Sequence, residues 1–479
     1  MTSTDTDSSV AEHVTRVWDT DIVPELCEYI AIPNVSKAYE PEWKSLGHMD
    51  RAVHHIRRWC AGRQIAGLEI DLVELPGLTP LLVMEIPPFG DGSRHGIDDT
   101  VLLYGHLDKQ PEMEGWREGL GPWTPVIDGD RLYGRGGADD GYSAYASLLA
   151  VEAAQRAGWS HGRLVVLIEA SEESGSPDLP TYLDHLADRI GSPSLVICLD
   201  SGCLDENRMW VTTSLRGLVS ATLRVDVLTE GVHSGEASGI VPSSFRIMRT
   251  LLDRLEDATT GRILLDEMHV DVPSDRRREA EATSAEFPAP LSSHYPFVDA
   301  TQPAVDDPVE QILAHTWRPT LSYVGADGLP SVARGGNVLR PYTALSLSFR
   351  LPPTCDPERA LAAVRTTLEA DPPYSARVSV SNGHAGPGWN APTFQPWLDA
   401  ALERASMAAF GASWRAFGEG GTIPFMGMLG ERYPEAQFVI TGVLGPGSNA
   451  HGPNEFLHLP TARRLTIAMA HVLRDHAVR

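Results

Sequence analysis

Three short apolar runs in the first half of the chain each stop abruptly in a turn carrying histidine or acid, and few folds accommodate that pattern. Residues 101–104 run into Gly105-His106-Leu107-Asp108, residues 164–168 into Glu169-Ala-Ser-Glu172-Glu173-Ser-Gly175, and residues 195–199 into Asp200-Ser-Gly202. Uninterrupted apolar runs of this length suit strands covered on both faces. Residues 68–75 and 81–86 read as further strands, and 25–30, 49–60 and the Ala- and Leu-rich 142–157 as helices. Strands alternating with helices predict an α/β fold with a mixed, largely parallel sheet. In such a sheet ligands sit beyond the carboxyl ends of the strands. The three turns are therefore expected to converge there with Arg135-Gly-Gly-Ala-Asp139-Asp140-Gly141, a Gly-rich turn that opens a helix.

A chain of 479 residues, 42% of them hydrophobic, is too long for one small domain and predicts two. Past Arg216 the texture changes: residues 218–228 alternate apolar and polar, as a strand with one wet face does. A helix at 245–255, strands at 344–349 and 376–380 and a helix at 357–368 complete the pattern of a small α+β domain inserted into the first. The expected division is 1–213 with 391–479 for the first domain and 214–390 for the insert, with 271–307 an irregular surface excursion. Residues 436–443 supply one more buried strand.

Imidazole and carboxylates converging without thiolate is the donor set of zinc, manganese or cobalt. Each turn alone has a plainer explanation, since a Glu-Glu pair suits a helix N-terminus and an Asp-Asp pair a turn. Several carboxylates sharing one crevice repel unless cations neutralise them. No HExxH, GxxxxGK[ST], GxSxG or strand-borne GxGxxG motif offers another chemistry. With 39 Lys and Arg against 64 Asp and Glu, the formal charge of −25 argues against nucleic acid or an anionic membrane as partner. The longest apolar runs are strand-sized, so no membrane span is expected. The polar N-terminus lacks a signal-peptide pattern, and Cys27, Cys60, Cys198, Cys203 and Cys355 form no CxxC pair, which predicts reduced thiols and a cytoplasmic location.

Tyr104-Gly-His-Leu-Asp-Lys-Gln-Pro111, Leu132-Tyr-Gly-Arg-Gly-Gly-Ala-Asp-Asp140, Glu172-Glu-Ser-Gly-Ser176, Asp200, Gly231-Val-His-Ser-Gly235, Glu419-Gly-Gly-Thr-Ile-Pro424 and Ala450-His-Gly-Pro-Asn-Glu455 follow one another in this order. Together they resemble the M20 metallopeptidase family, most of all its cytosolic nonspecific dipeptidase and carnosine dipeptidase branch. The resemblance implies a metal-dependent dipeptidase acting on dipeptides or short peptides through a metal-activated water, or an N-acyl-amino-acid amidohydrolase or carboxypeptidase of the same family. It implies two divalent ions per subunit, zinc first, with manganese or cobalt as alternatives. His106 and Asp200 resemble the ligands of one ion, Glu173 and His451 those of the other, and Asp139 the carboxylate shared by both, followed by a cis peptide. Asp108 resembles the carboxylate that orients His106, and Glu172 the general base.

In the insert, which resembles a lid that also forms a homodimer, His233 matches a histidine that serves the partner subunit's site and stabilises the oxyanion. Arg350 matches an arginine for the substrate's C-terminal carboxylate, and Gly420, Gly421 and Thr422 a loop donating to that carboxylate. His384, in Asn382-Gly-His-Ala-Gly386, is a looser match to a lid histidine. Two departures stand out: Gly141 replaces the lysine usual after the Asp-Asp pair, and Lys109 stands where a small apolar residue is common, adding charge near the cleft.

Overall fold

The computed structural model describes residues 3–90, 99–287, 290–421 and 423–479. The chain divides into two compact units, one of Met1–Thr212, Ala391–Phe417 and Met428–Arg479, the other of Thr213–Asn390 and Gly418–Gly427. Residues 418–427, which sequence texture groups with the first unit, thus belong to the second.

The first unit is built on a sheet in the strand order Glu69–Val73, Leu81–Ile86, Arg163–Glu169, Thr100–His106, Pro193–Cys198, Gln437–Ile440. The last four are mutually parallel, and the first two add antiparallel at the edge. Thr100–His106 is buried at every position, the condition under which a strand reads as a continuous apolar run. His106 lies opposite Glu169, and Tyr104 opposite Cys198, so the turns bearing His106, Glu172 and Asp200 leave the sheet at the same edge. Helix Ser143–Arg156, buried except for its last two residues, packs against Leu459–Val478. An unexpected helix, Ser3–Val17, is anchored by Val10, Val14 and Val17, an i, i+4, i+7 stripe within a polar segment.

His471, on the Leu459–Val478 helix, is 2% exposed, its ring 4.8 Å from that of Trp159 and its buried Nε2 without a hydrogen bond. Burial, helped by the nearby Arg474, lowers its pKa to about 4. An unfolded histidine titrates near ~6.5. A folded pKa below the unfolded one means a stabilisation fully present above that pH and lost as pH falls towards 4, on the order of 3 kcal/mol. His471→Leu is expected to flatten the fall in Tm across that window; an unchanged slope by calorimetry rejects the assignment.

The second unit carries a four-stranded antiparallel sheet in the order Thr320–Asp327, Tyr342–Leu351, Gly217–Asp226, Arg377–Gly386. Gly217–Asp226 alternates buried and half-buried residues, with Val219 and Leu223 packing on Met248, Phe349 and Val364. Helix Ser244–Leu252 starts where the Ser243 hydroxyl accepts the Arg246 N–H at 3.3 Å. Helix Pro357–Glu369 starts where Asp356 accepts the N–H groups of Glu358 and Arg359 at 3.0 Å, with proline at the first helical position. The excursion at 271–307 is less irregular than expected: it holds helix Ser274–Glu286 and a 3₁₀ turn, Leu291–His294. That helix is hidden in the sequence because its inward positions are Arg276, Ala280 and Thr283 rather than an apolar stripe. Among the described residues, no helix is long and apolar enough to cross a membrane.

Candidate metal centre

His106 ends its strand with every atom buried. Its backbone N–H donates to Asp140 Oδ2 at 3.1 Å, and a Cβ on the preceding Gly105 would sit 2.1 Å from Ser143 Oγ and 2.7 Å from Asp140 Oδ2, so only glycine allows this approach. The ring Nδ1 lies 3.1 Å from the Asp108 carbonyl oxygen and 3.5 Å from Asp108 Oδ1. Both partners are acceptors, so in the neutral ring the proton belongs on Nδ1 and Nε2 is the nitrogen left to bind a cation. Nε2 is buried without a hydrogen bond, 3.3 Å from Asp139 Oδ1 and 3.6 Å from Asp200 Oδ2. An imidazole lone pair aimed at two carboxylate oxygens is the arrangement a cation completes.

Asp139 faces both ways. Its Oδ2 lies 3.0 Å from Nε2 of His451, which in turn is 3.4 Å from Glu173 Oε2. Two groups of possible ligands result, His106, Asp139 and Asp200 in one and Asp139, Glu173 and His451 in the other, with the donor atoms of each group within 4.8 Å of one another. The Asp139–Asp140 peptide is cis. Asp108 braces the centre from behind: Oδ1 accepts the Glu172 N–H and Oδ2 the Glu173 N–H, each at 3.1 Å.

Burial raises Glu172 well above the carboxylate range, with Asp200, Asp108 and Asp139 adding to the shift and His106 opposing it. Burial raises Glu173 too, reinforced chiefly by Asp139. Burial disfavours charge on His106, but Asp200, Asp108 and Asp139 outweigh it and raise its pKa. The crevice therefore holds more negative charge than its two histidines offset, and divalent cations fit both its charge and its oxygen and nitrogen donors.

Sequence reading missed what holds His451. This residue sits at φ +64°, a left-handed conformation that costs a non-glycine residue free energy unless its surroundings enforce it. The buried Arg135 donates to the carbonyls of His451 and Gly452 at 3.1 and 2.9 Å and to Glu455 Oε2 at 2.6 Å. Glu455 Oε1 accepts the Gly136 N–H at 2.9 Å, tying the His451 loop to the Asp139 turn. Gln110 was also missed; its side-chain N–H donates to Glu173 Oε2 at 2.6 Å.

Lys109 corrects an expectation. Its side chain is buried and turned to the end of helix Val23–Ile30, where Nζ donates to the carbonyls of Tyr29 and Ile32 at 2.8 Å and stands 4.0 Å from the centre of the Tyr29 ring. Burial lowers its pKa. A Cβ on Gly141 would meet the same Tyr29 ring at 2.2 Å and the Gly136 carbonyl oxygen at 2.5 Å, so this turn is packed for glycine.

Within the second unit, Arg350 is half-buried on strand Tyr342–Leu351, opposite Thr320. Arg216 Nε donates to the Gly420 carbonyl and its backbone N–H to the Gly421 carbonyl, both at 3.1 Å. The Gly420 N–H donates to Nε2 of His315 at 3.2 Å, a partner sequence reading did not find. Thr422 lies outside the described residues. His384 is exposed on strand Arg377–Gly386, opposite Ser220. His233 is exposed, its Nδ1 accepting the Gly235 N–H at 3.1 Å at the start of helix Ser234–Ala237.

An α/β sheet with paired acid-and-histidine ligand groups beyond its strand ends defines the class of hydrolase that works with two metal ions. The family model described as Peptidase family M20/M25/M40 matches residues 102–475, and the chain belongs to that family. It is 26% identical over 387 residues to the cysteinylglycine-S-conjugate dipeptidase of Corynebacterium striatum, covering 78% of this chain and 80% of that one. Its fold is similar to that of human carnosine dipeptidase 1, with TM-score 0.76, 23% identity and 99% of each chain covered. It is likewise similar to an M20 family metallo-carboxypeptidase of Sulfolobus solfataricus, with TM-score 0.77, 19% identity, 96% of this chain and 100% of the other.

Proposed function

We propose that this protein is a metal-dependent dipeptidase of dipeptides or short peptides, and that the observation carrying the reading is the pair of ligand groups sharing Asp139, with Glu172 in the field of His106, Asp200 and Asp139. His106 and Asp200 would hold one ion, Glu173 and His451 the other, and Asp139 both. Two such ions, zinc before manganese or cobalt, supply Lewis acidity that makes water acidic and polarises the scissile carbonyl. Glu172 takes the proton from the attacking water as the C–O bond forms, and passes it to the amine as the C–N bond breaks. Asp108 keeps the His106 proton on Nδ1, so that Nε2 stays a donor of its lone pair. Arg350 receives the substrate's C-terminal carboxylate in its fork, with the Gly420–Gly421 loop and His384 alongside.

His233 serves the oxyanion of a partner subunit in a homodimer formed through the second unit. Val338, paired to His233 and 40% exposed, and the exposed Ile240 and Val332 of the same unit support an apolar interface there. Among the described residues no disulfide joins any of the five cysteines, which supports a cytoplasmic location.

An acylase or carboxypeptidase would use the same centre and differ at the amino end of its substrate. A panel of dipeptides, tripeptides and N-acetyl amino acids separates the three readings. Elemental analysis of the active protein is expected to give about two divalent ions per chain, and a chelator to abolish activity. A fully active preparation with one ion or none defeats the two-metal reading.

A further inference from the structure

The segment that sequence texture makes an irregular excursion builds a pocket of about 200 Å³ in the second unit, lined by Leu291, Tyr295, Phe297, Val305, Ala314 and His315 among others. Gln311 holds its walls together: this buried side chain accepts the Ser292 N–H at 2.9 Å and donates to the Val305 carbonyl at 2.8 Å, pinning both loops to helix Pro308–Thr316. That helix is itself capped by Asp307, which accepts the Glu310 N–H at 2.9 Å. Among the described residues, no lysine, arginine or carboxylate lines the pocket.

His315 joins this apolar space to the cationic corner of the same unit. It lines the pocket and accepts the Gly420 N–H at 3.2 Å, while Arg216 donates to the Gly420 carbonyl at 3.1 Å. A Cβ on Gly420 would lie 2.5 Å from His315 Cε1 and 3.0 Å from Arg216 Nη2, so the three groups converge on one glycine. Burial, aided by Arg216 and Arg350, lowers the His315 pKa to about 4, so at neutral pH the pocket wall there carries no charge.

A carboxylate receptor beside an uncharged apolar pocket is the imprint of an apolar α-amino acid. We propose that this pocket holds the side chain of the substrate's C-terminal residue and selects aliphatic or aromatic residues there, with Gly420 clamped between His315 and Arg216 so that carboxylate and side chain are registered together. This rests on the dipeptidase reading, and more narrowly on Arg350 taking the carboxylate. The size fits, since a cavity of ~150 Å³ accepts a benzene ring. An acidic or basic side chain would enter with its charge unpaired, which the pocket penalises.

The test is a series with a constant first residue: Ala-Gly, Ala-Leu, Ala-Phe and Ala-Asp, assayed with the metal-loaded enzyme. Ala-Leu and Ala-Phe are expected to exceed Ala-Gly in kcat/KM by at least about tenfold, as burial of one apolar side chain allows, with Ala-Asp below Ala-Leu. Ala314→Trp and, separately, Ser292→Trp fill the pocket, and each should cut the Ala-Leu to Ala-Gly ratio about tenfold in protein whose melting transition is retained. A side-chain preference absent from both the Ala-X series and the acetylated pair, or a ratio that neither substitution moves, overturns the proposal. N-acetyl-Leu against N-acetyl-Gly keeps the two claims apart: a leucine preference confined to the acetylated pair supports the pocket and sinks the dipeptidase reading. Calorimetric titration with free leucine and glycine adds a readout without turnover, in which leucine binding no tighter than glycine overturns the pocket.

Discussion

Glu172→Gln is expected to lower kcat by at least about two decades without loss of metal, and Glu173→Gln to do the reverse, losing metal first. The two side chains are adjacent in sequence and differ in what surrounds them. Glu173 Oε2 faces His451 at 3.4 Å inside one ligand group and is steadied by Gln110. Glu172 belongs to neither group; its backbone is fixed to Asp108, and its carboxylate feels the same buried field. A carboxylate of that kind holds and releases a proton at little structural cost. Glutamine keeps its size and its hydrogen-bonding capacity but cannot carry the proton, so the loss falls on kcat in the range usual for general acid–base catalysis, about 10²–10⁴. Metal content by elemental analysis and steady-state kinetics on both variants settle the assignment. Exchanged phenotypes, with Glu172→Gln stripped of metal, would falsify it.

The parts of this centre that could be read in the sequence are those carried by local pattern. Strands covered on both faces show as unbroken apolar runs, and Thr100–His106, Arg163–Glu169 and Pro193–Cys198 therefore announce themselves, together with the polar turns that follow them. What escaped was set by distant partners. Arg135 meets Glu455 across 320 positions, and nothing in either neighbourhood signals the pair. Lys109 looks like a cleft charge until helix Val23–Ile30 is in place, because its partners are backbone carbonyls, which have no residue signature. His315 lies on a short helix whose pattern says only that one face is buried, and its partner Gly420 is 105 positions away. Gly141 illustrates the same limit: its departure from the family pattern is legible, and its reason, the Tyr29 ring at 2.2 Å from any Cβ, is a tertiary fact.

Two inactive variants should restore activity in each other's company. On the proposed roles, Glu172→Gln would remove the base and His233→Ala the oxyanion partner, so that a homodimer of either variant is expected to be nearly inactive. If His233 works in the neighbouring subunit, a mixed dimer pairs the wild-type Glu172 of one chain with the wild-type His233 of the other in one site, while its second site carries both defects. Random reassortment makes about half the dimers mixed, each with one good site of two, so activity returns to about a quarter of wild type by two-fold symmetry. The single chain gives His233 little to do: it is exposed, and among the described residues its ring nitrogen caps the short Ser234–Ala237 helix by accepting the Gly235 N–H. A merely structural role predicts no complementation, because a damaged second unit stays damaged in whichever dimer it enters. Subunit exchange is established first with two differently tagged chains and recovery of the doubly tagged species. Doubly tagged dimers as inactive as their parents would place His233 in its own chain's site or outside catalysis altogether.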